Sequence, residues 1–189
     1  MKISLKKNIL VLYKIIIPSI ICVALIYFFK VYIDFQFILT FGLVIIIFNK
    51  EKTKHNFILC LLYSIILCFL VLFLSMGIHS GFTYFIKNLL MIDLKRNPIL
   101  GDILALIPIS IISPILMCYS YSLLFNIEKT KYFFIIKWIS VFILIVLGLT
   151  KILFEKDRYF MSWQFVMALA LQLILYQKEL IALFKPKNR

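Results

Sequence analysis

Four residues between the third and fourth apolar stretches of this sequence, His79, Asp93, Arg96 and Asp102, are of types that carry out catalysis. A histidine flanked by carboxylates can act as a general base or bind a metal. Together with Asp34, Lys156 and Arg158 they would meet near one membrane interface and could work there on a lipid or a lipid-linked substrate. Their spacing matches neither H-E-x-x-H nor any zinc pattern. The same acids and bases more simply make a salt-bridged rim, and no metal and no cofactor are expected.

A second set of polar residues lies inside apolar stretches, where each costs free energy unless it faces protein or water. Ser110, Ser113, Met117 and Ser120 recur at steps of three, four and three, and so share one helix face. Pro114 interrupts that face and Pro108 precedes it. Proline removes a backbone donor and bends a helix, leaving carbonyls available to a solute. Further along, Gln164, Ala168 and Gln172 stack at steps of four. The two stripes either line a common pathway or hydrogen-bond each other as helix packing.

Lys14 and Lys137 fall inside apolar stretches near the same side, from which a lysine stem can reach the headgroups. Cys22, Cys60, Cys68 and Cys118 form no C-x-x-C pair and read as small apolar packing residues. His55 and Cys60 are five residues apart, which puts their side chains about 140° apart around a helix, too far for a nucleophile and its base. A nucleophile elbow, a glycine-rich phosphate loop and a potassium-filter sequence are all missing.

The elements that must position these residues are helices in lipid. Hydrophobic residues make up 64% of the 189, and the mean hydropathy is +1.07, far above the roughly 45–50% apolar usage of soluble domains. A crossing needs roughly 20 apolar residues. Six candidate stretches run over about 8–29, 31–48, 57–78, 103–124, 133–154 and 160–177. They are continuously apolar rather than alternating, which argues against a barrel wall. The fold class expected is an all-α polytopic bundle forming one integral membrane domain over 1–189. The first stretch is too long for a signal-peptide core, and no small-x-small cleavage site follows it, so it is expected in the mature protein.

The net charge of +13 is distributed by side. With the amino terminus inside, the inner segments hold Lys2, Lys6, Lys7, Lys50, Lys52, Lys54, Lys129, Lys131, Lys178, Lys185, Lys187 and Arg189. The outer ones hold Lys30, Lys87, Lys95, Arg96, Lys156 and Arg158. This positive-inside excess predicts both termini in the cytoplasm of a multi-pass protein of the cell membrane. Basic inner loops lie against anionic headgroups, so membrane lipids are the expected partners and nucleic acid is not.

One connection is long, 79–102. Phe82, Phe85, Ile86, Leu89 and Leu90 recur at helical spacing, predicting an amphipathic helix in the outer interface. Pro98 should break it, with Asp102 as N-cap of the fourth crossing. Three functions fit these features. The first is a non-enzymatic role in transport or as a subunit of a membrane assembly, including self-association. The second is the outer-face enzyme described above. The third is a permeability effector or an immunity or defence protein.

Overall fold

The computed structural model describes the backbone of residues 2–29, 34–89, 91, 97–154 and 159–184, and the side chains of most of these. The elements are α1 (Lys2–Phe29), α2 (Asp34–Phe48), a 3₁₀ turn (Lys50–Lys52), α3 (Phe57–Leu89), α4 (Pro98–Leu106), a π-helical segment (Ile107–Ile112), α5 (Ser113–Leu124), α6 (Lys131–Phe154), α7 (Tyr159–Leu175) and α8 (Gln177–Phe184). Apart from an isolated bridge between Thr53 and Phe125, the described residues have no strand pairing. Self-contained backbone bonding of this kind is what a lipid environment requires.

Among the described residues four helical segments are long and apolar enough to cross a membrane: Ile9–Phe28, Phe57–Leu89, Ile99–Leu124 and Lys131–Thr150. A fifth is reached if α7 and α8, bent by 70° at Tyr176, count as one. The expected second crossing is α2, whose 15 residues span only about 22 Å. It lies inside the bundle, packed on α1 and α3, and buries Phe41, Val44, Ile45 and Ile46.

The long connection departs from expectation. Residues 79–89 are helical, but they continue α3 without a break and form no separate interfacial helix. No proline or turn signal interrupts 57–89, and the helix ends only where Met91 takes φ 52°, a left-handed conformation rare outside glycine. The helical segment expected to begin at 103 starts at Pro98 instead, because proline suits a first helical position. Asp102 therefore lies inside α4 and is not its N-cap.

Several segments meet at one end of the bundle. The backbones of Lys54 and Asn126 bond to Leu124 and Lys52, joining the α2–α3 and α5–α6 connections. The Lys54 ammonium donates to Ser122 O at 2.7 Å. Lys52 Nζ donates to Leu175 O at 2.6 Å and to Glu179 Oε1 at 2.7 Å, and lies 3.9 Å from the Tyr176 ring centre. A cation on the last carbonyls of α7 opposes the negative end of its dipole. Gln177 donates to Glu128 O and accepts from Thr130 Oγ1. Lys14 reaches this end as its stem length predicted, pairing with Glu51 at 3.0 Å. That salt bridge and its charge hold the Glu51 carboxyl below its ordinary range.

Lys137 behaves differently. It is 4% exposed and does not extend to the surface. Its ammonium donates to Tyr119 Oη at 3.2 Å and lies near the rings of Tyr119, Phe134 and Trp138. Cation–π attraction in a desolvated setting, about 2 kcal/mol, keeps it inside instead.

Candidate functional site

The apolar segment Ile99–Leu124 changes register in its middle for a reason that can be followed atom by atom. In an α-helix the Ser113 N–H would bond Ile109 O. Here it bonds Pro108 O, one residue further back. In that wider register Ile109 O would accept from residue 114, which is proline and has no N–H. The carbonyl left over is taken by Trp163 of α7, whose Nε1 donates to Ile109 O at 2.9 Å. π-Bulges of this kind occur often at functional sites.

Helix α6 presses on the break from the other side. A Cβ built on Gly148 would fall 2.5 Å from Leu106 Cδ2 and 3.3 Å from Ser110 Oγ. Any larger residue there would have to displace the Leu106 side chain. A similar contact joins α2 to α3, where a Cβ on Gly42 would meet Ser64 Oγ at 3.0 Å. Ser64 Oγ in turn is 2.8 Å from the hydroxyl of Tyr121, a fully buried residue that also reaches Cys68 Sγ at 3.5 Å and stacks edge-on against Phe41.

Both predicted stripes point inward. Ser110, Ser113, Met117, Gln164, Ala168 and Gln172 are buried, and Ser120 is half-buried. Pro114 is buried at the start of α5. Gln172 is fully enclosed, yet neither end of its amide has a hydrogen-bond partner. The same is true of the hydroxyl of Ser19 on α1. Pro18, just before it, leaves the carbonyl of Lys14 without its α-helical donor.

The outer candidates are not assembled among the described residues. His79 is half-buried on α3, and its Nδ1 is occluded and unbonded. Asp102 is half-buried on α4. Asp93, Arg96, Lys156 and Arg158 lie outside the described residues, as does the side chain of Asp34. No cluster of metal-ligating side chains is present among the described residues. Cys60 turns its thiol to the carbonyls of His55 and Leu124 rather than to an imidazole.

Sequence reasoning overlooked three features. Pro18 and Ser19 could have been found as a breaker and a hydroxyl inside an apolar run. Tyr121 gave no signal, because a tyrosine near the end of such a run usually faces an interface. Gly77 and Gly81 stand four apart in α3 with open space where a Cβ would be, the small-xxx-small spacing of helix pairs.

Comparison of the chain with family models, with curated proteins and with solved structures finds no match. The chain is thus characterised by its own geometry: a bundle of helices apolar enough for a membrane, with polar side chains buried along their inner faces.

Proposed function

We propose that this chain is a non-enzymatic integral membrane protein that moves a small polar solute across the cell membrane through its buried centre. In this reading six segments traverse the bilayer, with both termini and the lysine-rich end in the cytoplasm, against anionic lipid. The observation that carries the reading is the register break in the fourth crossing, braced by Trp163 at Ile109 O. Discontinuous helices at mid-membrane are where transporters hold their substrates, and α7, which braces the break through Trp163, carries the enclosed Gln172 amide nine residues, about 13 Å, further along. The test is flux in proteoliposomes. Ser113→Leu and Gln172→Leu should abolish it while membrane abundance stays at the wild-type level. Unchanged flux in both variants overturns the pathway.

A second reading, a subunit of a membrane assembly, is favoured by the open Gly77 and Gly81 face of α3. Gly77→Leu with Gly81→Leu should then release a partner that travels with the wild type in native mass spectrometry. A chain that is already alone removes this reading.

A further inference from the structure

We infer that Gln172, Ser19 and the carbonyl of Lys14 form a buried binding site, in the half of the bundle nearer the lysine-rich end, for a small neutral molecule that both donates and accepts hydrogen bonds, such as water or a hydroxyl or amide compound. The inference supplies the ligand class for the transport reading and rests on that reading for the ligand's passage, though not for its binding.

The position follows from how α1 and α7 pack. Lys14 joins Glu51 and Leu175 joins Lys52 at the same end of the bundle, so the two helices run antiparallel. Residues 20–28 of α1 and 161–166 of α7 line a shared apolar groove at the opposite end, with a volume of about 580 Å³. Continued inward, that register brings Ser19 close to the level of Ala168, about one turn from Gln172. Side chains tilt toward the start of their own helix. In an antiparallel pair this leans Gln172 and Ser19 toward each other's level, while the Lys14 carbonyl points toward Pro18 between them.

These groups do not satisfy one another, since the Ser19 hydroxyl and both ends of the Gln172 amide are unbonded and fully buried. Their chemistry selects the ligand. The Lys14 carbonyl and Gln172 Oε1 need a donor, and the Gln172 NH₂ needs an acceptor. A metal cation would leave the NH₂ unmet, and a simple anion would leave both carbonyls unmet. The three groups are uncharged, and the one charged group on this stretch of α1, the Lys14 ammonium, is held at the end of the bundle by Glu51. An ion here would therefore lack a counter-charge in a medium of low dielectric.

The experiment is a double-mutant cycle on the full chain in lipid nanodiscs, comparing wild type, Ser19→Ala, Gln172→Met and the pair by thermal unfolding. With the site occupied, each single variant lowers Tm by about 2–4 °C. The pair then lowers it by clearly less than the sum, because both changes lose the same bridged molecule. An empty site predicts the reverse: Gln172→Met removes two orphaned polar atoms and raises Tm. A rise, or strictly additive effects, overturns the inference. Should Gln172→Met fail to accumulate, Ser19→Ala decides alone, since an unchanged or higher Tm also overturns it. Glycerol flux in proteoliposomes tests the transport reading separately. Coupling without glycerol flux leaves the site standing and removes passage.

Discussion

The two polar regions of this molecule are built on opposite principles. At the lysine-rich end, Lys52, Lys54, Gln177 and Thr130 each have a partner, and those partners tie together three regions remote in sequence, although buried Asn49 Oδ1 and Glu179 Oε2 there are unbonded. Deeper among the helices, Ile109 O is satisfied across a helix boundary, but Gln172, one turn in from that end, and Ser19 are left with none. A satisfied network fixes the helices relative to one another. A buried group without a partner raises the free energy of the state that encloses it, by about 1–3 kcal/mol, and favours any state or ligand that relieves it. The end therefore acts as the frame and the centre as the part with something to gain.

The contrast can be broken most severely at the centre. Trp163→Ala should cost about 3–5 kcal/mol, the range for emptying a buried aromatic site, read as a loss of Tm and of folded yield. Trp163→Phe isolates the hydrogen bond and should cost about 1–3 kcal/mol by orphaning Ile109 O. If Trp163→Phe is neutral, the carbonyl has another donor and the bracing account fails. Gly148→Val comes next, at about 1–3 kcal/mol, because its methyls enter space held by Leu106 and Ser110. A wild-type Tm in that variant would mean that α6 does not press on the break.

At the opposite end the effects should be smaller. Lys52→Met releases Leu175 O and Glu179 together and should cost about 1 kcal/mol, since the site is only partly buried. Its signature is faster hydrogen exchange in α8, with the centre unchanged. The smallest effect is acid sensitivity at Glu51. Its carboxyl is held below the ordinary range by the Lys14 bond, so its contribution is present above that range and disappears as pH falls through the depressed value. The Tm difference between wild type and Glu51→Gln should therefore be measurable at neutral pH, shrink below about pH 4 and vanish in stronger acid. A difference that persists in acid would assign it to packing instead of charge.

Much of this contrast is written locally and was legible in the sequence. Continuous apolar runs locate the helices, and the spacing of Ser110, Ser113, Gln164 and Gln172 predicts that they share inward faces. Lys14 reaching an end of the bundle follows from stem length. The rest depends on partners far away in the chain. Pro108 and Pro114 announce a bend, but the wider register becomes tolerable only because Trp163, about 50 residues later, supplies a donor. Lys137 stays inside because α5 provides Tyr119, which no pattern within α6 indicates. The continuity of α3 through residue 89 was hidden by its own composition, since an amphipathic turn and a crossing that outlasts the lipid look alike in a short window.

That continuity bears on how the molecule can be reached. A helix of 33 residues is about 50 Å long, whereas the hydrocarbon layer is about 30 Å thick. Hiding all of α3 would require a lean steeper than the roughly 40° at which membrane helices stop. A crossing by α3 therefore leaves part of the helix beyond the oily layer. It gives water-borne reagents, antibodies and proteases a handle on a chain that otherwise offers them little more than short connections.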